Sequence, residues 1–367
     1  MPVCRQYLMS TERMVSRLRS IAVLLLFVIA ATSGALLIGE CQPSADAAEE
    51  SALREAAGWI QQAGRVGSQH DAQYDYEMTC RVRLLLFWAG RDDVGGGYVR
   101  IRRAAGIPGE QVIQVLFGSD PVKAPRGINR WGAGTEVLRE SARRDQAQAS
   151  AFFGFMKSSK GQSVGAMQRE LSKEKSNGRY LFEGIISRVD RNAAMATTVP
   201  FVSSKDFDLH QYPEVESAAL KQLESGQDRK TRHLEGTPQV RCQAVGGFLS
   251  TMLQLTDDAV DGKTTPRSLC YLYNARHYTA TLLSARSLAE RSVHYTLRQD
   301  GRSVDYSLRN LKEARFEVTG EETRNQSAFT ILLGTEGALR GAPIQINYQP
   351  NWWFQIVLNL IPGSSQD

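Results

Sequence analysis

The sequence predicts a mainly β (α+β) fold of antiparallel, sandwich-like or partly closed sheets with about three or four helices. Side-chain polarity alternates over a long stretch, with Tyr74, Tyr76, Met78, Cys80, Val82, Leu84, Leu86 and Trp88 opposed by Asp75, Glu77, Thr79, Arg81 and Arg83. Tight turn signals separate such stretches, as at Asn274-Ala275-Arg276 and Asp300-Gly301, and tight turns join antiparallel strands. Helical spacing is confined to a few segments.

Residues 1–47 read as a signal peptide or an N-terminal membrane anchor. Arg13, Arg17 and Arg19 precede a mostly apolar, uncharged run from Ile21 to Gly39, and Ala45-Asp46-Ala47 offers a small-residue cleavage site. The run is about as long as a membrane span, roughly 18 to 20 residues, so cleavage and retention as an inner-membrane anchor are both open. Either outcome sends the body across the membrane, because the arginines precede the run. The expected address is the periplasm or cell envelope. Cys41 follows Glu40, where a lipidation signal wants a small residue.

Residues 48–72 form a predicted helical spacer, with Leu53, Ala57 and Ile60 on one face. A β-rich domain with helices is expected over 73–226, beginning with the alternating strand just described. From Leu84 to Trp88 both faces are apolar, which suggests cover by another layer. "RDDVGGG" at 91–97 then reads as a turn, because glycine reaches positive φ without penalty and aspartate bonds nearby amides. A phosphate loop would need a helix after the glycines, and "YVRIRR" follows instead.

Further strands are expected in "QVIQVLFGSD", "INRWGAGTEVL" and "ASAFFGFMKS". A helix from Ser163 to Asn177-Gly178 carries Val164, Met167 and Leu171 on one face. "RYLFEGIISRV" and "AAMATTVPFVSS" read as a hairpin around Asp190-Arg191-Asn192, and a second helix begins at Pro213 and ends by Gly226. The polar run "GQDRKTRHLEG" is the expected domain boundary.

Over 236–363 the sequence predicts a helix followed by an antiparallel β-rich domain. The helix takes Thr237 as N-cap, Pro238 at its first position and Gly262 past its end. Val245, Phe248, Leu249, Met252 and Leu255 form its buried stripe. "LFGSD" with Pro125, Ile128 and Asn129 resembles "LLGTE" with Pro343, Ile346 and Asn347, a pattern that a duplicated β-module or chance would produce. The closing strand alternates Trp352, Phe354, Ile356, Leu358 and Leu360.

The net charge of +5 becomes about +4 without the leader, which carries four arginines against Glu12, Glu40 and Asp46. So weak a balance with interspersed signs excludes a nucleic-acid surface. In an oxidising compartment Cys242 and Cys270 are the expected disulfide, and Cys80, on the apolar face of its strand, is a buried structural thiol. His70, His210, His233, His277 and His294 lack ligand spacing, so no metal or other cofactor is expected. Asp206, Asp208 and His210 alternate, as on one polar strand face.

The carboxylates that remain as catalytic candidates are Asp92, Asp93, Asp120 and Glu136, the last two near Arg126 and Arg130, where surface ion pairing is the plainer reading. Trp352 and Trp353 are binding candidates, because adjacent residues on a strand face opposite sides and one exposed ring stacks on a sugar or an apolar partner group.

"VLFGSDPVKAPRGINRWG", "YLYNARHY" and "GTEGALRGAPIQINYQPNWWFQIVLNL" resemble segments of uncharacterised exported bacterial proteins. That resemblance implies export and a shared fold, and carries over no activity or functional residue. The expectation is an exported non-catalytic protein that binds a partner protein, glycan or lipid through a β-sheet surface. The alternative is a hydrolase acting on envelope polymers through paired carboxylates.

Overall fold

The computed structural model describes residues 43–65, 72–84, 87–103, 110–120, 123, 130–140, 146–157, 180–189, 194–203, 230–234, 246–288, 293–299, 302–308, 310–320 and 326–361. The leader through residue 42, the helices expected over 163–178 and 213–226, the Asp190-Arg191-Asn192 and Asp300-Gly301 turns, Cys242, and the Asp206, Asp208 and His210 set lie outside these residues.

Two α-helices are found among the described residues, α1 (Pro43–Arg65) and α2 (Phe248–Val260), fewer than the three or four expected. The strands are β1 (Ala72–Leu84), β2 (Phe87–Arg103), β3 (Glu110–Ser119), β4 (Arg130–Glu140), β5 (Gln146–Lys157), β6 (Tyr180–Val189), β7 (Ala194–Ser203), β8 (Lys230–His233), β9 (Arg267–Tyr273), β10 (Arg276–Leu288), β11 (Val293–Gln299), β12 (Arg302–Leu308), β13 (Leu311–Gly320), β14 (Gln326–Gly334), β15 (Pro343–Asn351) and β16 (Phe354–Leu360). Fourteen of them form one antiparallel sheet in the order β8-β7-β6-β5-β4-β3-β2-β1-β16-β15-β14-β13-β10-β9. The arrangement is therefore one large sheet and not a sandwich of two. β11 and β12 form a separate hairpin.

Strands of both expected domains share this sheet, because β1 pairs with β2 on one side and β16 on the other. β8 arises within the polar run expected to be a boundary and pairs with β7. The sheet is curled, and among the described residues its two ends meet through side chains and not through strand pairing. Leu272 of β9 packs with Val189 of β6 and Ala194 of β7, and Tyr273 meets Phe152 of β5 edge-on at 5.3 Å. Leu272 N–H donates to the Gly246 carbonyl at 3.2 Å, which occupies part of the free edge of β9.

The side-chain alternation serves two faces. In β4, Ala133 and Val137 face the convex side and Glu136 the concave side; in β5, Ala149 and Ala151 oppose Gln148 and Phe152. Instead of acting as a spacer, α1 packs Leu53, Ala56, Ala57, Ile60 and Ala63 on the convex face. Arg139 and Arg188 both stack on Trp59, at 4.3 and 4.4 Å from the ring centroid, and anchor α1 to β4 and β6. α2 lies against the concave face, over β9, β10, β13 and β14, and the two helices meet the same strand only at β4.

The turn reading of 91–97 is wrong, because the whole of Phe87–Arg103 is strand. Register shifts between Met78, which opposes Gly95, and Cys80, which opposes Arg91. The extra residues form a β-bulge with Asp93 at φ 53°. The glycines serve close strand approach: a Cβ on Gly95 or Gly97 would run into the Gly118 or Leu116 carbonyl of β3, and one on Gly96 into the Tyr76 carbonyl of β1. The apolar end of this strand is not covered either, since Phe87 and Trp88 are exposed. The Asn274-Ala275 turn is present, with φ of 51° and 50° at its two residues.

A Gly97→Ala variant is expected to lose more than about 2 kcal/mol of stability, because backbone must move to admit the methyl group. Gly90→Ala, whose nearest obstacle is the flexible Arg81 side chain at 3.4 Å, is expected to stay within about 0.5 kcal/mol. Chemical denaturation of the two variants side by side checks this, and equal losses contradict it.

Candidate functional site

The helix on the concave face organises the interior. It starts at Phe248, with Gly247 as N-cap, and not at Pro238; Gly246 and Gly247 are not helical, and Thr237, Pro238 and Val245 lie outside the described residues. A glycine N-cap has no side chain to accept from the first-turn amides. Glu136 of β4 supplies the acceptors from across the fold: Leu249 N–H donates to Oε1 and Ser250 N–H to Oε2, both at 2.8 Å. Gly247 N–H donates to Ser250 Oγ at 3.1 Å. Glycine is required here because a Cβ would collide with both Glu136 and Gln148.

At the other end, Lys312 of β13 donates to the Ala259 and Val260 carbonyls at 3.0 and 2.7 Å. Gly262, at φ +71°, follows the C-cap Asp261 and ends the helix where the sequence places its stop. Negative charge at the N-terminus and positive charge at the C-terminus both complement the helix dipole. Asp258, buried in the last turn, pairs with Lys263 and Arg267. α2, about 20 Å long at 1.5 Å per residue, thus spans the concave interior from β4 to β13.

Beneath it lies a cavity of about 150 Å³. Phe248, Leu249, Met252 and Leu253 of α2 form one wall, and Val99, Ile101, Ile113, Val115, Phe329 and Ile346 of the sheet face them. Thr256 is the one lining residue from α2 with a side-chain polar atom, and its hydroxyl is turned back to the Leu253 carbonyl at 2.7 Å. Phe248 and Met252 pack against the hydrophobic core, as the sequence predicts, and they also border this cavity. Their stripe marked the helix face correctly, but no local pattern shows whether opposing strands fill the space.

The carboxylate candidates divide into two places. Asp92, Asp93 and Asp120 gather at the bulge. Thr79 Oγ1 donates to Asp92 at 2.9 Å, Lys123 pairs with Asp93 at 2.5 Å, and Asp120 N–H donates to the Val94 carbonyl at 2.7 Å. The hydrogen bond to Asp93 raises the Lys123 ammonium above its ordinary value. Glu136 lies beside Ile113 of β3, while the bulge lies beside Ser119, about 20 Å away along the strand. Paired hydrolytic carboxylates stand roughly 5 to 10 Å apart, so Glu136 cannot act with the aspartates. Both of its oxygens are already committed to α2.

Alternation predicts that Trp352 and Trp353 are consecutive strand residues, but they form the turn between β15 and β16. Trp352 projects outward, whereas Trp353 is half-buried beside Phe354, with ring centroids 5.7 Å apart. Cys270 is disulfide-bonded, and its expected partner Cys242 is outside the described residues. Cys80 is a free thiol that burial pushes up to about 11, so it stays protonated at neutral pH. Among the described residues no cluster of His, Cys, Asp and Glu could hold a metal ion, and no helix is long and apolar enough to cross a membrane.

No family model matches this chain, and no curated protein matches it. Among solved structures, the chain is similar to a β-barrel-like protein of domain of unknown function DUF1849 from Brucella abortus. The match covers 79% of this chain and 95% of that one at 11% identity, with a TM-score of 0.32. A likeness at this level bears on neither ligand nor activity.

Burial raises the Glu136 carboxyl from 4.5 to about 7, against the lowering effect of the two backbone donors. Between these values the folded protein holds a proton that the unfolded chain has released. The stability this proton confers is full below the unfolded value and is lost as pH rises through about 7. Unfolding measured from about pH 5 to about pH 8 is expected to show that decline, and Glu136→Gln to remove it. A slope unchanged in the variant contradicts the assignment.

Proposed function

We propose that this chain is an exported, non-catalytic binding protein of the cell envelope, and that its cavity holds the apolar end of an amphipathic ligand such as a lipid. The observation that carries this reading is the apolar void between α2 and the curled sheet. Its volume of about 150 Å³ equals that of an engineered dry cavity, roughly 150 Å³, that takes up benzene. It is smaller than the roughly 300 to 1,000 Å³ of sites that engulf whole ligands. It therefore suits a ring or the end of an alkyl chain, with the polar part of the ligand left outside.

Export is supported by the arginine-flanked apolar run near the N-terminus, which both the cleaved and anchored forms would use. The hydrolase reading has no support in the separation of Glu136 from the bulge aspartates. Partner-protein and glycan binding through the sheet surface remain within the same non-catalytic proposal.

Calorimetric titration of the full chain with octanoate is expected to show saturable binding. Val115→Phe, which fills the cavity from β3, is expected to weaken it about tenfold or more while leaving the unfolding temperature within a few degrees. Absence of saturable binding, or equal affinity in a folded Val115→Phe variant, overturns the cavity assignment.

A further inference from the structure

Four large apolar side chains stand exposed among the described residues, and three of them share one end of the sheet. Trp352 is 68% exposed, Phe87 61% and Trp88 38%, whereas Ile361 lies at the opposite end, bonded to Asp75. Trp88 pairs with Arg83, and Arg83 N–H donates to the Trp353 carbonyl at 2.8 Å. The end of the β1–β2 pair is thus held against the Trp352-Trp353 turn. In the sequence, Leu85 and Leu86 connect β1 to β2.

Arg81, Arg83 and Arg91 are exposed around these rings and form no ion pair among the described residues. Asp92 and Asp93, next to Arg91 in the sequence, are engaged by Thr79 and Lys123, and Glu77, the acid nearest Arg81 and Arg83, pairs with neither among the described residues. This end is separate from the cavity, whose β2 lining begins at Val99, about 30 Å or more from Trp88 along the strand.

We propose that these adjoining tips dock the protein on an anionic lipid bilayer, with the rings at the boundary of headgroups and acyl chains and the arginines on lipid phosphates. Tryptophan favours that boundary because it has a large apolar body and one polar N–H. Basic residues at its margin gain from an anionic surface. The three exposed rings offer on the order of 400 Å² together, given about 150 to 250 Å² for a buried aromatic side chain. A stable protein interface takes about 800 Å² from each partner, so this small projecting end fits a bilayer better than a second folded surface. The proposal is independent of cavity binding, and octanoate titration leaves it untouched.

The leader contains no tryptophan, so tryptophan quenching by brominated lipid reports contact by the body even if the leader is inserted. The full chain is mixed with brominated phosphatidylcholine vesicles containing, or lacking, about one-third phosphatidylglycerol. Strong quenching on the anionic vesicles is expected, and Trp88→Phe with Trp352→Phe should remove most of it. Arg81→Gln with Arg83→Gln should reduce quenching about tenfold at limiting lipid, and high salt should do the same. Circular dichroism confirms that each variant is folded. The proposal is overturned by absence of quenching on anionic vesicles or by quenching undiminished in the tryptophan variant. It is also overturned by self-association without lipid that the tryptophan variant abolishes, which assigns the tips to a second copy.

Discussion

The rest of the interior depends on how one buried carboxylate meets one short helix. Glu136 is 2% exposed and has backbone amides as its donors. Burying a carboxylate is expensive unless such donors satisfy it, and the first turn of a helix offers them with a favourable dipole. Glycine at the N-cap lets the carboxylate approach, and Lys312 fixes the far end. Among the described residues the edges of the curled sheet meet through side chains, with no ladder between them to set its width. The helix does so instead, by joining β4 to β13.

The cavity follows from the same constraint. With both ends tied to particular strands, α2 cannot sink until every gap is filled. Its aromatic contacts favour the β9–β10 side, where Phe248 meets Tyr271 at 5.5 Å and Tyr271 stacks on Tyr278 at 5.5 Å. The void lies beside these rings, lined by Tyr271 and Tyr273 of β9 and extending toward β2, β3, β14 and β15. The cavity is thus left open by fixing the helix ends.

Much of the fold is legible as alternation, and the failures are places where a distant partner decides. β3 through β7 lie close to their expected ranges because their patterns are continuous. Asp92 through Gly97 have the composition of a turn; only pairing of Met78 with Gly95 and of Cys80 with Arg91 reveals a bulge. At Trp352 and Trp353 alternation misled, although Pro350-Asn351 just before them is a turn signal. Glu136 reads in the sequence as a surface ion-pairing carboxylate, whereas it is buried, because the amides that bind it lie more than a hundred residues onward. The cavity has no local signature.

Hydrogen exchange across α2 tests the role of Glu136 as the tie that holds the helix in the curl most directly. In Glu136→Ala, amides of Phe248–Val260 are expected to lose about tenfold or more of their protection while those of β3 to β5 keep theirs. Unchanged protection in α2, or loss of protection in the strands in step with the helix, would contradict the account.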